Sequence, residues 1–454
     1  MAFELWRMAL KNLSRNKRRN AATASAIVFG VAGITAAIAY YHHEANSRRV
    51  FTVYSSRMGH LHIYRPNGLE KFAADPLAFS LSPDETARIT KVLDASPEVL
   101  YHGPQIHGMG LISNSCNTFP FQVLGIDPDL DRKIASHDEL SRWATDAHRQ
   151  FHGQHLWESS SIENGILLSN GLSQALEKPL LHSEVSAGYV PEPIDCSAPD
   201  AAKRWAQDSY VQMSANGWQG SPSVVDGEII GRFNPGSSSS NNSLAVAPLS
   251  VVRALFGTDG SMRHVAWLKD GTDVKAMAAL INDRLVQAGL KLEVRRFDEE
   301  SVVPTYAGTL GFIDLLIGFV NVLTCMIIIF SVFNAANITA LERSQEIGML
   351  RALGYTRRRI RILFAMESAI LSLTSIVAGT AVGHLLTSGL NRVEFTYRTP
   401  GMDLAHHAMV LTHNYSSMSL MTLAVFALSL GSTYLAAWTI AEKNVAHLLT
   451  GPSH

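Results

Sequence analysis

The sequence predicts a membrane protein of four transmembrane helices carrying a large α+β extracytoplasmic domain. Three observations predict it. Four apolar stretches are long enough to cross a bilayer core, which takes about 20 residues of helix. Lys and Arg gather on alternate flanks of those stretches. The long middle region has the mixed composition of a water-soluble domain. Across 454 residues the net charge is −1, with 17% charged and 47% hydrophobic residues, a balance that suits neither a disordered chain nor a nucleic-acid binder.

Residues 1–20, MAFELWRMALKNLSRNKRRN, place Phe3, Trp6, Leu10 and Leu13 on one helical face among basic residues, the pattern of a cytoplasmic amphipathic helix lying on anionic lipid. The first span is 21–43. Ala37-Ile38-Ala39 has the form of a cleavage site, but the long basic lead and full spanning length favour an uncleaved anchor. Residues 44–308 form the outer domain, followed by spans at 309–340, 362–390 and 417–441. A cytoplasmic hairpin (341–361), a short outer loop (391–416) and a cytoplasmic tail (442–454) complete the chain. Orientation follows from the six basic residues before the first span and the six arginines between the second and third, against few cations at the opposite ends.

Within the outer domain, period-two alternation over Gly59-His-Leu-His-Ile-Tyr64 predicts a half-buried strand, with Leu61 and Ile63 inward and His60, His62 and Tyr64 outward. Ser82-Pro83-Asp84-Glu85 is a capping box opening a helix through Leu93. Strands are expected at Phe119–Asp127 and Gly165–Leu168, the second followed by a short helix through Leu176. Regularity fades over 191–243, and the run Gly236-Ser-Ser-Ser-Ser-Asn-Asn-Ser243 reads as a flexible loop. Strand Val265–Lys269, a helix from Asp273 to Ala288 and strand Leu292–Phe297 make a βαβ unit. Cys116 and Cys196 both fall in this domain, and a disulfide and two free thiols stay equally open. Cys325 lies in the second span.

The hairpin LERSQEIGMLRALGYTRRRIR, 341–361, is the most informative stretch. It is a charged island between apolar runs, yet Ile347, Met349, Leu350 and Leu353 recur among the charges at helical spacing, a face that expects a protein partner. Polar groups within the spans are costly and normally face a bundle interior. Asn334 and Asn337 share a face near the inner end of the second span, where hydrogen bonding between helices is the expected use. Glu367, close to the basic belt ending at Arg361, is expected to pair with that belt or snorkel. Gly379-Thr-Ala-Val-Gly383 is a small-xxx-small motif that would allow close helix approach, including dimerisation.

The stretch ALERSQEIGMLRALGYTRRRIRILFAMESAIL resembles the signature of the FtsX-like, MacB-type permeases of ABC transporters, which include lipoprotein-releasing permeases. Gly59-His-Leu-His-Ile-Tyr, Val123-Leu-Gly-Ile-Asp-Pro and Ile166-Leu-Leu-Ser resemble strands of that family's outer domain, and one span, a large domain and three spans match its order throughout. The resemblance implies a type VII ABC architecture in the bacterial inner membrane, with both termini cytoplasmic. It implies a coupling helix over Glu342, Arg343, Glu346, Ile347, Met349, Leu350, Arg351 and Leu353, ended by Gly354 before Thr356 caps the next helix. It also implies a separate ABC ATPase that binds the ATP and Mg, a second permease chain, identical or related, and a periplasmic carrier, adaptor or hydrolase. The chain itself has no G-x-x-x-x-G-K-[ST], so no cofactor is expected in it. The expected function is release or extrusion of a lipoprotein or amphipathic molecule. The alternative is mechanotransmission to a partner such as a cell-wall hydrolase.

A metal-binding reading competes, because His148, His152 and His155 would share a helical face and His60 and His62 lie on one strand. It lacks specificity: no H-E-x-x-H and no Cys/His cluster with zinc spacing is present, and solvent-facing histidines would suffice. With no G-x-S-x-G either, no enzyme activity is expected in this chain.

Overall fold

A computed structural model of the chain describes residues 8–9, 12, 17–143, 151–159, 162–185, 194–393, 396–397 and 407–442. The amphipathic pattern over 1–20, His148 and the tail beyond 442 fall wholly or mostly outside those residues. The chain forms two units, one from Asn46–Thr309 with Thr396–His407, the other from Met1–Ala45, Leu310–Phe395 and Ala408–His454. Helices of eight residues or more are numbered α1–α9 below.

In the first of these units the strands are β1 (Leu61–Tyr64), β2 (Val99–Ser113), β3 (Thr118–Ile126), β4 (His152–Gly153), β5 (Gly165–Ser169), β6 (Tyr210–Asn216), β7 (Pro222–Phe233), β8 (Leu244–Pro248), β9 (Arg263–Leu268) and β10 (Glu293–Arg296). Pairing runs β2-β3-β8-β5-β7-β6 and back to β2, so these six strands close on themselves. Closure removes the exposed edges that would otherwise template aggregation. Alternate residues of all six strands, among them Ile112, Phe121, Ile166, Met213, Ile229 and Ala245, share one buried cluster. Helix α4 (Leu249–Phe256) adds Val252, Leu255 and Phe256 to it.

The other half of the domain is a split βαβ. Strands β9 and β10 flank β1, both antiparallel to it, and α5 (Val274–Gln287) joins them. Helix α2 (Pro83–Asp94) starts at the Ser82/Glu85 capping box and packs Ile89 and Leu93 with Leu61, Ile63, Ile281 and Leu285. Helix α3 (Pro128–Ala135) is capped by Asp127 and lends Leu130 and Ile134 to a third cluster around Trp267.

Three expectations for this domain change. The described part of the 191–243 stretch, 194–243, is not irregular: it holds β6 and β7, a hairpin whose apolar alternation is broken in the sequence by Gly227 and Gly231. The serine-rich run carries a short helix, Ser238–Asn241, and Asn241 Oδ1 accepts from the Gly171 amide at 3.2 Å. Strand β1 is buried on both faces. His60 Nδ1 accepts from the Leu268 amide at 3.0 Å, and His62 and Tyr64 lie under Arg263, which donates to Tyr64 and Gln105. Those histidines are therefore not solvated; burial, the main cause, pushes His60 down to about 3, so it is held neutral. Cys116 and Cys196 are joined in a disulfide.

The second unit contains α1 (Lys17–Val50, its last residues in the domain), α6 (Pro304–Glu342, its first residues in the domain), α7 (Ser344–Ala352), α8 (Arg357–Arg392) and α9 (Tyr415–Ala441). Among the described residues four helices, Asn20–Ser55, Pro304–Glu342, Arg357–Arg392 and Tyr415–Thr439, are long and apolar enough to cross a membrane. Helix α1 outruns a spanning length because Val50, Val53 and Tyr54, on it and the π-turn that continues it (Phe51–Ser55), enter the domain's third core cluster. The helices meet through Ile27, Val31, Ile34 and Ile38 of α1, Ile328 and Val332 of α6, Ile376 of α8 and Val425 of α9.

The small-xxx-small motif serves this packing. A Cβ on Gly379 would stand 2.8 Å from the Val28 carbonyl, and one on Gly383 would stand 2.7 Å from Thr35 Cβ. Both glycines are what let α8 close onto α1 within one chain. Helix α6 is the least covered: Phe312, Leu315, Phe319, Ile327 and Phe330 are exposed, as a lipid-facing helix requires.

Candidate functional site: the charged hairpin and its anchors

Nine residues make α7, too few for a stable helix in isolation, so tertiary contacts must hold it. Ile347 supplies one, packing with Ala340, Ile360, Phe364 and Ala437. Gly354, at φ +90°, ends the helix in a conformation that a side chain would strain. Thr356 Oγ1 then accepts from the Arg359 amide at 3.4 Å and starts α8.

The expected partner face is thereby split. Ile347 is buried against the chain's own helices, and Leu350 is half-buried. Met349 is 55% exposed and Leu353 79% exposed, with Leu341 exposed beside them. A helix covering so little of itself has turned one side inward at Ile347 and the other outward at Met349 and Leu353. Glu342 and Gly354 are exposed, and Glu346 and Arg351 half-buried, around that outward side.

Arg343 is the hinge of the charge network. Its Nη1 donates to both oxygens of Glu367 at 3.0 Å, its Nε donates to Glu346 at 3.1 Å, and its guanidinium lies over the Phe364 ring at 5.5 Å. Burial opposes its charge, but the carboxylates of Glu367 and Glu346 outweigh that and hold its pKa above the ordinary guanidinium value. Glu367 is buried, and its Oε1 also accepts from Asn12 Nδ2 at 2.6 Å. The expected pairing of Glu367 with a basic residue thus falls on Arg343, not on the belt at 357–361. That belt is anchored elsewhere: Arg357 and Arg361 pair with Glu442, and Arg361 stacks over Tyr434. Asn12, Phe364 and Glu442 carried no signal by themselves, because each matters only through a partner far along the chain.

Asn334 is exposed and Asn337 half-buried, so this pair does not sit in the bundle interior. The buried asparagine of α6 is Asn321, whose Oδ1 has no hydrogen-bond partner among the described residues. No group of three His, Cys, Asp or Glu suited to a metal occurs among the described residues. His152 lies on β4 and His155 in a turn, stacked between Phe151 and Trp157, and not on a common helix face.

Residues 318–445 match the family described as FtsX-like permease C-terminal. The chain is 26% identical over 152 residues to the uncharacterized ABC transporter permease MJ1507 of Methanocaldococcus jannaschii, covering 33% of this chain and 38% of that one. It is likewise 26% identical over 149 residues to the uncharacterized ABC transporter permease YknZ of Bacillus subtilis, covering 30% and 35%. The matched stretch therefore spans well under half of either relative. Among solved structures, the periplasmic region of MacB from Actinobacillus actinomycetemcomitans aligns with a TM-score of 0.32 at 11% identity, over 55% of this chain and 92% of that one. The extracellular domain of YknZ from Gram-positive bacteria aligns at 0.29 and 13%, over 52% and 98%. The family match encloses the hairpin, its Arg343–Glu367 anchor, most of the second span and the whole of the third and fourth, and it is this C-terminal part of the chain that is similar to the FtsX-like permeases.

Proposed function

We propose that the outward side of α7 is the docking surface for a separate ABC ATPase, and that the ATPase's cycle moves the permease so that the α+β domain releases or extrudes a lipoprotein or other amphipathic molecule. The observation that carries this reading is the exposure of Met349 and Leu353 on a helix whose opposite side is fixed to its own bundle. Exposed apolar side chains ringed by Glu342, Glu346 and Arg351 suit a protein groove better than lipid or water. ATP and Mg would be held by the partner, and two permease chains would complete the assembly.

The disulfide bears on orientation. Cys116 and Cys196 are paired, and such bonds persist in oxidising compartments. This favours the α+β domain outside the cytoplasm, with the arginine-rich hairpin inside, the arrangement that cationic flanks also favour. The proposed site is the bacterial inner membrane.

The test uses the full chain purified from native membrane. The wild type should bring down an ABC ATPase, and the double variant M349D/L353D should lose it while keeping its unfolding midpoint. A wild type with no ATPase, or a double variant that retains it, would refute the docking surface.

A further inference from the structure

We infer that Arg343 and Glu367 form a latch that fixes α7 against α8, so that a push on the outward side of α7 is delivered to α8 as well as to α6. The inference rests on the docking reading above and deepens it, by naming how the hairpin is joined to the bundle.

Helix α7 is held at three points. At its C-terminal end Gly354, at φ +90°, leads within two residues to the Thr356 cap of α8, and a glycine turn of this kind lets two helices change their angle. Midway, Ile347 packs on Ile360 and Phe364 of α8. At its N-terminal end Arg343 reaches Glu367, well inside α8, with both carboxylate oxygens at 3.0 Å. Remove the ion pair, and of the contacts described between α7 and α8 the packing of Ile347 is what remains, beside the backbone that joins α7 to α6 at Arg343.

The pair is suited to this task. Its side chains are 14% and 11% exposed, so solvent and salt screen their attraction only weakly. Phe364 fixes the guanidinium from its face, and Asn12 and Glu346 take up further hydrogen-bonding positions. A latch also needs somewhere to go when it opens. Beside Glu367 lies a cavity lined by Asn20, Thr23, Thr339, Ser368, Ser372 and Thr433. That lining also includes Ile27, Val332 and Leu371, and Thr339 and Thr433 already donate to Ala335 and to Ser368 and Ser429, so an opened carboxylate reaches a second arrangement only by exchanging with those hydrogen bonds. Arg343 and Glu367 are positioning residues in this account, acting through α7.

The experiment uses the full chain in lipid nanodiscs, in a Cys325→Ser background, with spin labels introduced by Gln345→Cys on α7 and Leu373→Cys on α8, both exposed positions. Glu367→Gln should broaden the distribution of label separations, and the charge reversal R343E/E367R should narrow it again. An unchanged distribution in Glu367→Gln, or broadening that the reversal fails to correct, overturns the latch. A second arm adds the ABC ATPase that copurifies with the chain, with Mg-ATP. Here Glu367→Gln should retain the ATPase but lose the ATP-dependent shift in label separation seen in the wild type. A full shift in Glu367→Gln overturns transmission through the pair. Failure of the wild type to bring down any ATPase refutes the docking reading instead, and the first arm still decides the latch.

Discussion

In the α+β domain buried charge is spread over the sheet in pairs drawn from distant segments: Arg57 with Asp131, Lys178 with Asp208, and Arg263 with Gln105 and Tyr64. In the helical unit the buried polar groups are mostly hydroxyls, Ser368, Thr387, Ser432 and Thr433 among them; Glu44 is buried there too, and Arg343–Glu367 at one end is a buried ion pair. The difference reflects what each kind of group can do in its surroundings. A hydroxyl on a membrane helix can return its proton to a carbonyl one turn back, as Thr387 does to Gly383 at 3.0 Å and Thr433 to Ser429 at 3.1 Å, although Ser375 and Ser429 do not. A charge has no such local partner and must be answered by an opposite charge. Since a buried ion pair contributes little net stability compared with apolar packing, packing alone does not account for the pair at the hairpin, and the proposed latch does.

The comparison can be broken or sharpened by experiment. The largest effect should come from stranding one charge of a domain pair. Asp208→Ala leaves Lys178 enclosed and alone; burial already pushes that ammonium's pKa down, and the loss should be about 3–5 kcal/mol, read as a fall in the domain's unfolding midpoint. The apolar double variant K178M/D208L should recover most of it. Removing the disulfide by Cys116→Ser should cost about 2–4 kcal/mol in the same transition and leave the helical unit's transition in place.

Acid should act on the domain as well. His60 and His264 are both pushed down to about 3, chiefly by burial, from an ordinary value near 6.5. In that window the unfolded chain binds more protons than the folded one, so stability is complete above pH ~6.5 and falls progressively as pH drops towards ~3. Each histidine should cost about 2 kcal/mol by pH ~5, measurable as a falling unfolding midpoint between pH ~7 and ~5. A flat profile would show that these rings are solvated after all. The smallest effect belongs to the helical unit: Gly383→Ala should destabilise it by about 1–3 kcal/mol through its collision with Thr35. Gly318→Ala, where a Cβ meets nothing within 4 Å, should be neutral or slightly stabilising in the same assay.

What the sequence disclosed follows the same division. Spans declare themselves by length and hydropathy, and the capping box at Ser82, the βαβ unit and the Gly354–Thr356 junction are local signals read within a few residues. The order within 191–243 is a local hairpin masked by Gly227 and Gly231, but the closed strand ring and the burial of His60 and His62 depend on strands more than a hundred residues apart, such as β1 against β9. No local pattern contains them. At the hairpin, spacing located the helix but not which apolar residue faces home: Ile347 and Met349 are two residues apart, and only the position of Phe364 and Ile360 decides that Ile347 is the inward one. Glu367 was legible as a residue in need of a cation, while its partner Arg343 lies 24 residues away.

Site-specific photo-crosslinking along α7, in the full chain in native membranes, tests the central claim most directly. A photoreactive residue at Met349 or Leu353 should capture an ABC ATPase, and one at Ile347 should crosslink only within the chain. Capture of the ATPase at Ile347, or of no ATPase at Met349 and Leu353, would contradict the account.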